Sequence, residues 1–155
     1  MKTLNTKIQI TECPRDAMQG IKTWIPTSQK VTYLNALLNC GFDVLDFGSF
    51  VSPKAIPQMQ DTAAVLQQLA PSQTELLAIV ANARGAAEAC SHERIAIIGY
   101  PFSISETFQM RNTKTSLEQS LESLAEMDAL CKQHGKKLRV YLSMGFGNPY
   151  NDPYS

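Results

Sequence analysis

Short apolar runs alternate along the chain with longer stretches in which apolar residues recur every three to four positions. The first kind predicts strands and the second helices. Strands are expected at about Lys7 to Cys13, Phe42 to Phe47, Leu76 to Val80, Ile95 to Ile98 and Leu138 to Ser143. A first helix is expected from about Ser28 to Cys40, with Val31, Leu34, Leu37 and Leu38 on one face, Thr27 as N-cap and Gly41 just past the end. A second, about Asp61 to Leu69, stops before Pro71, and a third runs from about Ala83 to Cys90. The fourth opens on Thr115 and Glu118 as a capping box, carries Leu117, Leu121, Leu124 and Cys131 along one face, and ends at Gly135. Pro53 and Pro57 mark a loop after the second strand. Residues Gly99 to Lys114 and the tail from Met144 also read as loop, with Tyr150 to Tyr154 frayed.

Strands alternating with helices predict an α/β fold with a parallel sheet. Two architectures fit: an open doubly wound sheet, or part of a (β/α)8 barrel. A full barrel takes roughly 200–250 residues, so 155 residues supply about five parallel strands with four intervening helices.

Composition narrows the partners. Fourteen basic residues balance fourteen acidic ones, which argues against nucleic acid or an anionic membrane surface as partner. An anionic small ligand stays open, because one local Arg can serve it. No stretch approaches the roughly 18 apolar residues of a membrane span, and the first residues lack a secretory pattern. Cys13, Cys40, Cys90 and Cys131 form no CxxC pair and have no histidine at zinc spacing. A reduced, cytoplasmic protein is the simplest expectation. Cys13 reads as a small packing residue, with a reactive thiol as the alternative if Arg15 lowers its pKa. Gly145 and Gly147 lie in a glycine-rich turn without a dinucleotide fingerprint or P-loop lysine.

In both architectures ligands sit at the carboxyl ends of the strands. There the sharpest feature is Arg15 beside Asp16. A carboxylate can bind a hard cation such as Mg2+ or Mn2+, and a guanidinium can hold an oxyanion bidentately. Such a pair suits chemistry that develops charge on a carbonyl oxygen. A local surface ion pair is the plain alternative.

Pro14-Arg15-Asp16 with Gln19 resembles the opening motif of the hydroxymethylglutaryl-CoA lyase family, within the metal-dependent lyase and synthase barrels. Three later segments resemble that family too: Ser49 to Lys54 with Ile56 to Met59, Ser105-Glu106 with Phe108 and Asn112, and Ser143 with Gly147 and Pro149-Tyr150. The resemblance implies the N-terminal part of a single barrel catalytic domain, over residues 1–155. It also implies a metal-assisted retro-Claisen cleavage of 3-hydroxy-3-methylglutaryl-CoA to acetyl-CoA and acetoacetate. It makes Asp16 a ligand of Mg2+ or Mn2+ and makes Arg15 and Asp46 catalytic, Arg15 stabilising the enolate oxygen and Asp46 a carboxylate near the metal and substrate. Gln19, Ser49, Asn82 and Ser143 become substrate-binding residues. It further implies an acyl-CoA substrate and a homo-oligomer, most simply a dimer.

The sequence departs from the family pattern in places. Ala17-Met18 replaces Gly-Leu, Gly20-Ile21 replaces Asn-Glu, Asp46 replaces Glu, and Phe47-Gly48 replaces two Thr, with Phe47 expected to add bulk at the strand end. The family's His-x-His pair, Asn ligand and catalytic Cys have no counterpart, and His92 and His134 are expected away from Asp16. The chain alone is therefore expected to be inactive. The alternatives are a condensing synthase of the same barrel group, a non-catalytic self-associating half barrel, and a nucleotide-binding doubly wound domain.

Overall fold

In a computed structural model, residues 8–153 are described; Lys7 and Tyr154, which bound two of the expected segments, lie outside them. Five strands form one all-parallel sheet in the order β1-β2-β3-β4-β5. They are β1 (Thr11–Glu12), β2 (Val44–Phe50), β3 (Glu75–Val80), β4 (Ile95–Ser103) and β5 (Lys137–Ser143). The sheet curls into an open half-barrel, and one long side chain spans its concave side between the edge strands: Arg139 Nη1 of β5 donates to Thr11 Oγ1 of β1 at 3.1 Å. The four crossovers carry the expected helices α2 (Thr27–Leu38), α3 (Thr62–Gln68), α4 (Ala83–Cys90) and α6 (Leu117–Gln133). Two short helices join them, α1 (Pro14–Gln19) and α5 (Glu106–Thr113), with a 3-10 turn at Pro57–Met59.

Two apolar clusters lie on opposite faces of the sheet. On the convex side the helices bury Leu34, Leu45, Phe47, Ala78, Ile98, Tyr100 and Met127. On the concave side Val44, Leu77, Ile79 and Ile97 form a smaller cluster beside Tyr141. Gly41 and Gly135 take positive φ, +79° and +65°, which lets the chain turn sharply after α2 and α6.

Several local expectations are corrected. Residues 99–114 are not a loop: β4 continues to Ser103 and α5 follows, N-capped by the Ser105 hydroxyl, which accepts from the Phe108 N–H. Beyond Gly99, β4 pairs with β5 alone, so the missing N–H of Pro101 costs little on the open side. The α5 segment hides its helical character because a polar side chain anchors it. Gln109 is buried, accepts from the Ser103 N–H and donates to Thr113 and Ser120.

The capping box of α6 sits one residue later than expected, on Ser116 and Gln119. Thr115 instead shares hydroxyl contacts with Thr113 and Ser120. The buried face of α6 is Ser120, Met127 and Cys131, with Leu124 partly buried, while Leu121 is exposed. Thr27 does not cap α2; its hydroxyl donates to Asp61 Oδ2 at 2.7 Å. Cys40 is exposed, whereas Cys90 and Cys131 are buried. No helix of the described residues is long and apolar enough to cross a membrane.

Candidate active site

The segment after β1 is a short helix, with Pro14 in its first turn, where a missing N–H is tolerated. One helical turn separates Arg15 from Gln19, so both reach the same side. Arg15 Nη1 donates to Gln19 Oε1 and to Asp16 Oδ1, each at 3.1 Å, and Gln19 Nε2 donates to the same Asp16 oxygen at 3.1 Å.

The other edge of the guanidinium meets β2. Arg15 Nη2 lies 2.6 Å from Asp46 Oδ2, and Nε donates toward both Asp46 oxygens at 3.2 Å. Strand alternation from Val44 carries Asp46 to the concave side, and a register shift between Asp46 and Gly48 then brings Ser49 back to that side. Asp46 pairs with Leu77 and Ser49 with Ile79, both in the concave cluster, while Phe47 turns into the convex core. Phe47 therefore adds no bulk to the site, contrary to expectation, and β2 runs on to Phe50, so that Ser49 lies within the strand as Asp46 does.

These contacts border a cavity of about 590 Å3 lined by Cys13, Arg15, Asp16, Gln19, Asp46 and Tyr141, among others. The ion pair is graded in depth: the side chains of Asp46, Arg15 and Asp16 are 1%, 13% and 67% exposed. Burial pushes the Asp46 carboxyl up from its ordinary value, against the pull of Arg15. Burial also opposes the Arg15 cation, yet the hydrogen bond and charge of Asp46 outweigh it and hold the guanidinium firmly protonated. Cys13 is exposed at the cavity rather than packed in the core. Partial burial and the Asp46 charge push its thiol up, and Arg15 does not reverse this; an activated thiol is not supported.

The structure thus brings together Arg15, Asp16, Gln19 and Asp46. Ser49 lies further along β2 on the same face, its hydroxyl buried without a hydrogen-bond partner, and it does not line the cavity. Asn82 and Ser143 lie apart from the cluster. Asn82 N-caps α4 through its Oδ1, which accepts from the Gly85 N–H. Ser143 ends β5, its carbonyl accepting from Ser103 Oγ and the Ile104 N–H. Sequence reasoning missed Tyr141 as a lining residue. Its hydroxyl is buried without a hydrogen-bond partner, and burial pushes the phenol up against the influence of Arg139. The two-residue alternation Arg139, Tyr141, Ser143 was the signal available.

Asp16 offers the hard oxygen that Mg2+ or Mn2+ prefers. Among the described residues, however, no group of three or more His, Cys, Asp or Glu could hold a metal ion. His92 packs on Phe50, ring centroids 5.2 Å apart, and His134 caps the end of α6; neither lines the cavity. The donor chemistry fits one ligand of a divalent cation, and the donor number does not complete a site.

No family profile matches the chain. Individual proteins do. The cytoplasmic 3-hydroxy-3-methylglutaryl-CoA lyase of Danio rerio is 35% identical over 140 residues, covering 88% of this chain and 41% of that protein. The mitochondrial hydroxymethylglutaryl-CoA lyase of Bos taurus is 34% identical over 158 residues, covering 99% and 47%. The crystal structure of the Bacillus subtilis HMG-CoA lyase superposes with a TM-score of 0.89 at 32% identity, covering 96% of this chain and 50% of that one. An Acinetobacter baumannii HMG-CoA lyase, solved with coenzyme A and 3-methylmalate, gives 0.87 at 28% identity, covering 95% and 48%. The chain spans about half the length of the relatives it matches, and over that half, in sequence and in fold, it belongs to the hydroxymethylglutaryl-CoA lyase family.

Proposed function

We propose that these residues form one side of the active site of a carbon–carbon lyase that cleaves a 3-hydroxy-3-methylglutaryl thioester of coenzyme A. The supporting observation is the cluster at the cavity: a guanidinium pinned by the buried Asp46 and flanked by an exposed carboxylate. Cleavage needs the proton of the C3 hydroxyl to leave and the C2–C3 bond to break. The electron pair of that bond moves onto the thioester carbonyl as an enolate, acetoacetate departs, and protonation of the enolate gives acetyl-CoA. Arg15 is suited to the enolate oxygen because Asp46 already holds its cation in place, so little reorganisation accompanies the developing charge. Asp46, with both oxygens on Arg15, is assigned a positioning role.

A bound divalent cation, Mg2+ or Mn2+, would supply Lewis acidity at the C3 hydroxyl and the terminal carboxylate. Asp16 would be one of its ligands, held by Gln19. The unpartnered Ser49 hydroxyl offers a hydrogen bond to bound acyl-CoA. Asn82, whose oxygen caps α4, has its amide nitrogen left for a ligand, and Ser143, at the end of β5, would be a further substrate contact.

The test is a chimera in which residues 8–153 replace the matching half of the Bacillus subtilis lyase. Given Mg2+ and 3-hydroxy-3-methylglutaryl-CoA, it is expected to release acetoacetate, and Arg15→Gln is expected to lower kcat by about 10²–10³-fold, the usual effect of removing an oxyanion donor. A folded chimera without acetoacetate would overturn the assignment. The 155 residues alone are expected to give little or no turnover.

A second reading, self-association without catalysis, is favoured by β5, which pairs with β4 and has no second strand beside it among the described residues. Light scattering separates the two: a monomer at high concentration removes the second reading.

A further inference from the structure

Between α1 and α2 the chain runs through residues 20–26, with Ile21 and Trp24 at the surface. One side chain from elsewhere holds this backbone. Gln58, in the 3-10 turn, is only 4% exposed. Its Nε2 donates to the carbonyls of Ile21 and Thr23, both at 2.9 Å, and its Oε1 accepts from the Ile25 N–H at 3.0 Å. Both halves of the amide are engaged, and three backbone groups that strand or helix would otherwise pair are satisfied.

Lys30 locks Gln58 from the far side. It is 2% exposed, and a buried ammonium is costly unless its donors are met. Here they are: Nζ donates to the Gln58 carbonyl at 2.5 Å and to Asp61 Oδ1 at 2.6 Å, and it lies 3.9 Å from the centre of the Trp24 ring. Asp61 receives the Thr27 hydroxyl on its other oxygen. The start of α2, the 3-10 turn and the residue before α3 therefore converge on the 20–26 segment. None of Gln58, Lys30 and Asp61 lines the cavity.

The segment they hold follows directly on α1. A six-residue helix has little stability of its own. We propose that Gln58 and Lys30 are positioning residues for Arg15, Asp16 and Gln19, fixing where α1 ends and so how Arg15 meets Asp46. The inference rests on reading that cluster as a reaction site, and its test needs neither metal nor acyl-CoA.

In the 15N-labelled chain, the Arg15 Nε–H signal is identified by its loss in Arg15→Lys. Its exchange with water is then compared in Gln58→Met, Lys30→Met and Cys131→Ala, the last a remote control in the convex core. Exchange is expected to quicken at least about tenfold in the two clamp variants and to change less than about twofold in the control at equal loss of Tm. Trp24, the single tryptophan, reports by its fluorescence the departure of the Lys30 cation. Should Gln58→Met not fold, Gln58→Glu keeps the acceptor for Ile25 and removes the donors, and the same acceleration is expected. Parental Arg15 exchange in a folded Gln58 variant would overturn the proposal and leave the clamp as general stabilisation. A wrong lyase assignment would show separately, as a chimera without acetoacetate while Arg15 exchange still quickens in the clamp variants.

Discussion

The convex face of the sheet is closed by helices over a continuous apolar cluster, whereas the concave face interleaves a small apolar cluster with charge. Three tiers of polar contact cross the concave face: Lys137 to Glu75 at 2.6 Å, Arg139 to Thr11, and Arg15 to Asp46. The first face follows the ordinary logic of burial. On the second, each buried charge depends on a partner from another strand or helix. Stability is thus concentrated on one side and chemistry on the other, so the two faces should respond differently to perturbation.

The largest effect is expected from breaking the deepest pair. Asp46→Ala leaves Arg15 nearly buried without its partner, and urea denaturation should register a loss of about 3–5 kcal/mol. The double variant Arg15→Met, Asp46→Leu should recover most of it. A loss below about 1 kcal/mol for Asp46→Ala would mean that the concave charges do not depend on one another. On the convex face Leu34→Ala should cost about 2–5 kcal/mol, with no change in Arg15 Nε–H exchange; a change there would show that the faces are coupled.

Alkaline titration probes the convex core by another route. Burial first, and then Cys90, push the Cys131 thiol up to about 12. A folded value above the unfolded one means this contribution is complete below about pH 9 and is lost as pH rises toward 12. Cys131→Ala should flatten the stability profile over that window, and an unchanged profile would discount the buried thiol. The smallest effect is expected at Ser49. Removing its unpartnered hydroxyl in Ser49→Ala should alter stability by no more than about 0.5 kcal/mol while weakening acyl-CoA binding in the chimera. Unchanged binding would remove Ser49 from the site.

The convex face was the more legible of the two in the sequence. Leu34, Leu38 and Ile98 lie in apolar periodicities that helices and strands require, and all are buried. Polar anchoring was not legible. Gln109 and Gln58 are buried hubs of hydrogen bonds, yet a glutamine in a sequence carries no sign of where its amide points. The site was legible in type and only partly in geometry. Arg15, Asp16 and Gln19 stood out together, but that they share a helix depends on six residues led by a proline, too few for a periodic signal. That Ser49 shares the face of Asp46 depends on a bulge after Asp46, and no local residue pattern predicts its register.

The sheet order has a consequence for how the protein is made. Every strand lies beside the one that precedes it in the chain, from β1 through β5, and no strand waits for a later one to be inserted between existing neighbours. During synthesis each new strand leaves the ribosome to find its template already in place. The half-barrel can therefore grow strand by strand, in step with translation.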